Sequence, residues 1–123
     1  MVAVTKEIHF NTKGEIDIVD ITYDVEKIVE KTGVKNGTAT VFIPGATGAI
    51  TTIEYEPNLI QDFKDLLEEL VPSSKHYRHP INGRSHLRAS LLGPSVTVPI
   101  SNGRLILGTW QQIVAINWDT RTR

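Results

Sequence analysis

The sequence contains no cysteine, a single methionine and few aromatic residues, and it has no long hydrophobic run. Without cysteine the chain can form no disulfide and offers neither a thiolate metal ligand nor a thiol nucleophile. No apolar stretch approaches the roughly 18 residues that span a membrane, and the N-terminus lacks the apolar core of a secretory signal. We therefore expect a cytoplasmic protein with no membrane partner.

The remaining composition is that of an ordinary globular protein, with 40% hydrophobic and 22% charged residues in a chain of 123. This length predicts a single domain over residues 1–123, and it is too short for a barrel of eight strand-helix units, which needs about 250 residues. The formal net charge of -1 gives no general attraction to nucleic acid, so we expect no nucleic-acid partner.

Charges of opposite sign are separated along the chain. Residues 1–61 carry five lysines and nine acidic residues, whereas residues 62–123 carry eight basic residues and five acidic ones. No acid occurs between Glu69 and Asp119, and three of the four histidines fall in that interval. A local excess of basic groups favours a small phosphorylated ligand over a long polyanion, although lysines and arginines on an ordinary solvated face produce the same pattern.

The spacing of apolar residues predicts two long amphipathic helices. The first covers residues 21–32 and ends at Gly33, with Asp20 or Thr22 as its N-cap. The second covers residues 57–71 before a proline, and we assign its apolar stripe to the core. The members of that stripe are Leu59, Phe63, Leu66, Leu67 and Leu70.

A third, shorter helix is predicted over residues 85–92, after a polar loop and before Gly93 and Pro94. In this placement His86 and Arg88 lie off the apolar face of the helix, where a ligand can reach them.

Strands dominate the rest of the chain and are joined mostly by short turns. Asn102-Gly103, between two strand-like runs, is a strong hairpin signal. The fold class that follows is α+β, with a largely antiparallel β-sheet and two or three helices packed on it. The predicted strands cover residues 2–10, 15–19, 37–43 (a buried strand), 49–56, 95–100, 105–110 and 112–119.

Three histidines, two in one polar loop and one at the start of the helix that follows it, are the first candidate site. His79 and His86 are separated by six residues, and His76 precedes them. Imidazole is both a common metal ligand and the usual proton carrier near neutral pH, so the loop indicates either role. The same loop can equally spread its side chains into solvent. His9, in the first predicted strand, is assigned to the surface or to packing.

The second candidate site is the run from Asn82 to Arg88, where a glycine-containing loop enters a helix. Backbone N–H groups at a helix start and two arginines, Arg84 and Arg88, are suited to phosphate or diphosphate. The run lacks the glycine and lysine spacing of a nucleotide P-loop, so nucleotide hydrolysis is not indicated.

Two further groups of residues are candidates on weaker grounds. Gly108 in a predicted strand, followed by Thr109, Trp110 and Gln111, offers a stacking face beside an amide, but a tryptophan that anchors the core fits equally well. Glu54 and Glu56 are candidate general bases or hard-metal ligands, although strand carboxylates more commonly face solvent.

The motif blocks over residues 45–57, 85–95 and 99–111 resemble those of the YjbQ-like family of small bacterial and archaeal proteins. The most specific are Ser85-His86-Leu87 and Gly108-Thr109-Trp110-Gln111, in that order. The resemblance covers nearly the whole chain. It implies an α+β fold with a largely antiparallel sheet, assembled as a homotrimer whose sites lie where subunits meet.

The resemblance also implies a weak thiamine-phosphate synthase activity, in which hydroxymethylpyrimidine diphosphate and thiazole phosphate are joined and pyrophosphate is released. For that reaction we expect Arg84, Arg88 and the loop N–H groups to hold the diphosphate together with Mg²⁺, Trp110 to stack on a ring, and His79 or His86 to shuttle a proton. The cofactor expected is a divalent metal, magnesium or zinc. Two alternatives stay open, a non-enzymatic trimer that binds a metal or a phosphate ligand, and a hydrolase of an unknown phosphoester.

Carried over residue by residue, two of the three family histidines fall on His79 and His86, which become catalytic and metal-ligand candidates. The buried acid of the family falls on Glu54, and its strand motif falls on Thr109, Trp110 and Gln111. Where many members have the remaining histidine, this chain has Gly45. One chain therefore supplies two imidazoles of that cluster, and symmetry would have to bring in others.

Overall fold

The structure, a computed structural model, describes residues 3–10 and 17–118 and confirms an α+β fold with antiparallel sheets and three helices in those residues. None of the described helices is both long and apolar enough to cross a membrane. In chain order the elements are β1 (Asp17–Asp20), α1 (Thr22–Thr32), β2 (Gly37–Phe42), β3 (Gly48–Ile53), α2 (Pro57–Leu70), α3 (Gly83–Leu92), β4 (Ser95–Ser101), β5 (Arg104–Leu105) and β6 (Gln112–Asn117).

The strand β6 lies at the centre of the fold. It pairs antiparallel with β1 on one side and with β3 on the other, with Gly48 opposite Asn117 and Ile53 opposite Gln112. Every residue from Ile113 to Trp118 is buried. Both faces of this sheet are therefore covered, which explains why residues 113–116 of β6 form a continuous apolar run rather than an alternating pattern.

One face of the central sheet packs against α1 and a second sheet of order β2-β4-β5. Ile21, Val25 and Val29 from the α1 region meet Ile113 and Ala115 there. The predicted helix over residues 21–32 is confirmed as Thr22–Thr32 with its C-terminal stop at Gly33, but its N-cap is Ile21 and not Asp20 or Thr22. The β4-β5 hairpin is also confirmed, with positive φ angles of 54° at Asn102 and 77° at Gly103, as a two-residue turn between twisted strands requires.

The opposite face of the central sheet packs against α2 and α3. Leu67 and Ala89 from these helices meet Val114, Ile116 and Trp118 of the β6 region. The predicted second helix is confirmed, but its assignment as an entirely buried stripe is wrong: Leu67 is buried, whereas Leu66 and Leu70 are 48% and 58% exposed. The covered face of α2 is narrower than its run of leucines.

The third helix begins at Gly83, two residues earlier than predicted, and ends at Leu92. The expectation that Arg88 lies off the buried face is wrong, because Arg88 is 0% exposed. Its Nε and Nη2 atoms donate to the carbonyl oxygen of Val71, and Nη2 also donates to Glu68 at 2.8 Å. The side chain thus ties α3 to the C-terminal end of α2.

Several predicted strand boundaries also need correction. Residues 3–10 form no strand, and the predicted strand at 15–19 appears as β1, with residues 15 and 16 outside the described residues. The strand at 37–43 is not fully buried, since half-buried and exposed residues alternate along β2. The strand at 49–56 ends at Ile53, and the strand at 105–110 shrinks to Arg104–Leu105 because the chain turns before β6.

Candidate functional site

His79 and His86 are brought into direct contact by the start of α3. Their ring centroids are 4.9 Å apart, with an angle of 82° between the ring planes, so the edge of one imidazole faces the plane of the other. His86 is half-buried in the first turn of α3, whereas His79 is exposed on the preceding loop. His76, in the same loop, is exposed.

The loop is held against α3 by a close approach at Gly83. A Cβ atom on this buried glycine would lie 2.8 Å from Cβ of Tyr77 and 3.5 Å from Cβ of His79. The hydroxyl of Tyr77 donates to the carbonyl oxygen of Pro72 at 2.6 Å, which fixes the ring at the base of the loop. The missing side chain at Gly83 thus lets the loop cross the helix start and set His79 beside His86.

A cleft of about 560 Å³ opens beside His86, and we call it the histidine cleft. It is lined by residues 8–10, residues 43–48, Asn82, His86 and Asn117. Among the described residues the lining combines histidine, threonine and amide side chains with apolar ones and includes no acidic residue. A mostly apolar wall with a few polar groups is the usual make-up of a small-molecule site, and the volume falls in the usual range.

The helix that carries His86 is anchored on its inner side. Ser85 is fully buried, and its hydroxyl donates to the carbonyl oxygen of Trp118 at the end of β6. One turn later Arg88 contacts Glu68, whose pKa is lowered, first by hydrogen bonds from Ser73 and further by Arg88. These contacts fix the rotation of α3, so that His86 is presented toward the cleft.

The other predicted residues lie at the opposite end of β3. Glu54 follows the last residue of β3 and is half-buried. Gln112, at the start of β6, accepts a hydrogen bond from the backbone N–H of Tyr55 at 2.9 Å. Glu56 is engaged elsewhere: its carboxylate accepts from the backbone N–H groups of Asn58 and Leu59 and caps α2. Both glutamates therefore lie beyond β3, which ends at Ile53, and not within the strand predicted over residues 49–56.

Thr109, Trp110 and Gln111 form a turn at the same end as Glu54. The side-chain oxygen of Gln111 accepts from the backbone N–H of Gly108 at 3.0 Å, and its amide nitrogen lies 3.4 Å from the hydroxyl of Thr52. The carbonyl of Thr109 receives a hydrogen bond from Gln112 at 3.4 Å. Trp110 is 70% exposed, so it does not anchor the core.

The predicted residues therefore form two groups in one chain. His79 and His86 lie at the Gly48 end of β3, and Glu54 lies with the turn around Trp110 at the Ile53 end. The two ends are separated by roughly 17 Å, because an extended residue advances about 3.3 Å. Arg84 lies with the histidine group and donates to the carbonyl oxygen of Ile81 at 3.2 Å.

A complete metal site is not assembled by these residues. No group of three or more histidine, aspartate or glutamate side chains among the described residues could hold a metal ion. Two imidazoles on one tetrahedral zinc ion have centroids about 5 Å apart, which matches the His79–His86 pair, but zinc takes four ligands. The contact between the two imidazoles is therefore not by itself a zinc site.

The residues alone did not point to His9 and Asn117 as part of the histidine cleft, because both are distant from His86 in sequence and no local pattern connects them. The turn over residues 45–48 was connected with the two histidines only through the family resemblance at Gly45. Gly83 carried a usable signal, because a glycine next to a helix start often marks a close approach of another segment. Tyr77 carried none.

Comparison with known proteins identifies relatives along the whole chain. The family model described as UPF0047 protein YjbQ-like matches residues 6–123. A UPF0047 protein of Archaeoglobus fulgidus is 40% identical over 121 residues, which cover 95% of this chain and 94% of that protein. The UPF0047 protein YugU of Bacillus subtilis is 34% identical over 122 residues, which cover 96% of this chain and 92% of that protein.

Solved structures show the same fold. A YbjQ-like protein of unknown function from Sulfolobus solfataricus superposes with a TM-score of 0.87 at 36% identity. The superposition covers 91% of this chain and 83% of that protein. An uncharacterised YjbQ/UPF0047 family protein of Clostridium acetobutylicum gives a TM-score of 0.85 at 36% identity, with 95% of both chains covered. The chain belongs to the YjbQ-like family, UPF0047.

Proposed function

We propose that the protein binds a small phosphorylated molecule in the histidine cleft. The observation that carries this proposal is the contact between His79 and His86 at the start of α3, with His86 lining a cleft of ligand size whose described lining contains no acidic residue. Imidazole and amide N–H groups are donors to phosphate oxygens, and the start of a helix adds a partial positive charge.

The lining also indicates the kind of molecule that carries the phosphate. Ile8, Phe10, Ile43 and Pro44 give the cleft an apolar wall, while His86, Asn82 and Asn117 supply polar groups. A phosphate ester with an apolar or aromatic body satisfies both parts, since the body removes apolar wall from water while the phosphate meets the donors. Free phosphate would use only the polar part.

Calorimetric titration tests this proposal, with inorganic phosphate and phenyl phosphate as probes. We expect phenyl phosphate to bind more tightly than inorganic phosphate. His86→Ala should raise the Kd of phenyl phosphate about tenfold, the scale of one charge-assisted hydrogen bond. His76→Ala is the matched control, because His76 is exposed in the same loop and does not line the cleft, and its Kd should be that of the wild type.

Two results would contradict the proposal: no saturable binding of either probe by the wild-type protein, or equal Kd values for the His86→Ala and wild-type proteins.

A metal analysis of the purified protein belongs beside this titration. The magnesium or zinc predicted from the sequence stays a prediction, since one chain supplies two imidazoles and no third ligand among its described residues.

Thiamine-phosphate synthase activity is a second candidate, and the exposure of Trp110 favours it. An indole that is 70% exposed beside the amide of Gln111 offers a free stacking face for a pyrimidine or thiazole ring. In one chain this face is separated from the histidine cleft by the length of β3. Arg88, which we expected to hold the diphosphate, is buried in α3. The reaction therefore needs Trp110 from a neighbouring copy, as in the homotrimer that the resemblance implies.

This second candidate is tested by light scattering and by an assay of thiamine phosphate formation on the same sample. We expect a mass of three chains, and product formation that is lost in both Trp110→Ala and His86→Ala. Mixing these two variants should restore part of the activity, because some neighbouring pairs then combine an intact Trp110 with an intact His86. A monomer, or a mixture without activity, would exclude the shared site.

A further inference from the structure

The histidine cleft has two walls that come from distant parts of the chain. One wall contains Asn82 and His86 at the start of α3, and the other contains residues 8–10 of the N-terminal segment, residues 3–10. Within this segment Ile8 and Phe10 pack against the core beneath α1, which holds it in place. His9 lies between these two anchors, with its side chain 85% exposed.

The partner of His9 is a nearby carboxylate. Its Nε2 atom lies 3.2 Å from Oε2 of Glu7, whose side chain is 80% exposed. An exposed contact between an imidazole and a carboxylate is weak, because water competes for both groups and holding two side chains together costs entropy. A phosphate group, which carries more charge than a carboxylate and presents three acceptor oxygens, can therefore replace Glu7 on this imidazole.

We propose that His9 is a second phosphate-binding imidazole of the histidine cleft. In the free protein His9 contacts Glu7, and when the ligand binds it contacts the phosphate instead. This inference rests on the proposed function. His9 and His86 then donate to the phosphate from the two walls, and His79 orients the ring of His86 by edge-to-face contact. Ligand binding joins the N-terminal segment to α3, and Glu7 acts as an internal competitor.

The charges around His9 are consistent with this exchange. On its own segment it faces Glu7, with Lys6 as the neighbouring basic residue. The rest of the described lining contributes His86 and two amide side chains, Asn82 and Asn117, but no carboxylate. Glu7 is thus the acidic competitor that the described structure places on His9.

A double-mutant cycle between His9 and Glu7 tests the exchange, with phenyl phosphate as the probe in calorimetry. His9→Ala should raise the Kd about fivefold, since one charge-assisted hydrogen bond to an exposed group is lost. Glu7→Gln should lower the Kd about twofold, since the competing carboxylate is removed. In the His9→Ala background Glu7→Gln should leave the Kd of phenyl phosphate unchanged, because the carboxylate then has no imidazole to contact.

The control is Glu26→Gln, which removes the same charge from an exposed position of α1 outside the cleft. Its Kd should equal that of the wild type. An unchanged Kd in His9→Ala, or a tightening by Glu7→Gln that persists without His9, would overturn the inference. If His86→Ala weakens binding while both changes in the N-terminal segment are silent, the proposed function stands and this inference falls. If the wild-type protein binds no phenyl phosphate, both fall.

Discussion

Gly83 shows how much a single residue contributes to the histidine cleft. The loop that carries His79 crosses α3 at this position, and the space that a methyl group would need is taken by Tyr77. Tyr77 cannot retreat freely, since its hydroxyl is bound to Pro72. The contact between the two imidazoles therefore depends on a residue without a side chain.

We predict that Gly83→Ala lowers the free energy of unfolding by about 1–3 kcal/mol, the usual cost of overpacking a tight contact. It should also weaken phenyl phosphate binding, because the loop must move away from His86. Gly37→Ala is the control, since a Cβ there would meet only Val34, at an ordinary 3.5 Å. Urea denaturation and calorimetry measure the two effects, and equal behaviour of the two variants would contradict this account of Gly83.

Arg88 is a second residue whose role is decided by its surroundings. Its guanidinium is fully buried and donates to the Val71 carbonyl and the Glu68 carboxylate, so it links α3 to the end of α2. Removing it leaves a cavity and takes away a hydrogen-bond donor from a backbone carbonyl. Its function is structural in the described chain, and the ligand set of the proposed site does not include it.

We predict that Arg88→Ala costs about 2–4 kcal/mol in the free energy of unfolding. Arg104→Ala, at an exposed position of β5, should change it by less than about 0.5 kcal/mol. Arg88→Met separates the two causes, since it keeps most of the volume and loses the donors. Urea denaturation provides the values. If Arg88→Ala is as mild as Arg104→Ala, Arg88 does not tie the two helices together.

At the scale of secondary structure, α2 begins just after the Ile53 end of β3, and its C-terminal end is contacted by Arg88 of α3. Its first turn is capped by Glu56, whose pKa is lowered below the usual value of 4.5 by hydrogen bonds from the backbone N–H groups of Leu59 and Asn58. A carboxylate whose pKa is lowered in the folded state stabilises that state at pH values above its usual pKa. The stabilisation is lost as the pH falls through the lowered pKa.

We predict that Glu56→Gln is less stable than the wild type at neutral pH, and that this difference shrinks as the pH falls below about 4.5. Thermal unfolding of both proteins across the acidic range gives the comparison. Glu26→Gln, at an exposed position that caps no helix, should show a smaller difference at neutral pH. A difference between Glu56→Gln and the wild type that grows on acidification would show that the charge of Glu56 does not stabilise α2.

The elements that could be predicted are those whose pattern is local. The spacing of Ile21, Val25 and Val29 defines α1, and the continuous apolar run after Gln112 defines β6. The burial of Arg88 could not be predicted, because amphipathic spacing treats arginine as polar and its acceptors lie 17 and 20 residues earlier in the chain. The exposure of Leu66 was missed because the sequence does not show how much of α2 the sheet covers.

The candidate site was predictable only in part, for the same reason. The histidines of the polar loop could be identified from their type and position, and the structure brings His79 and His86 together. His9 was assigned to the surface or to packing, since its place on the cleft depends on an N-terminal segment more than 70 residues away from α3. Contacts of that range follow from tertiary packing and leave no pattern in the local sequence.

At the scale of the whole molecule, the central sheet keeps two candidate surfaces apart. The histidine cleft lies at the Gly48 end of β3, and Glu54 lies with the turn around Trp110 at the Ile53 end. Phosphate binding needs the first surface alone, whereas a transferase that also uses Trp110 needs a second copy of the chain. The two proposals thus differ in whether one chain is sufficient, and binding at the histidine cleft is common to both.

The most direct test of that common claim is a titration of ¹⁵N-labelled protein with phenyl phosphate, followed by the chemical shifts of its backbone amides. We predict that the largest shifts occur in residues 45–48, residues 82–86 and His9, and that they saturate together with one Kd. If these amides do not move, whether nothing shifts or the shifts centre on residues 108–111, the histidine cleft is not the phosphate site.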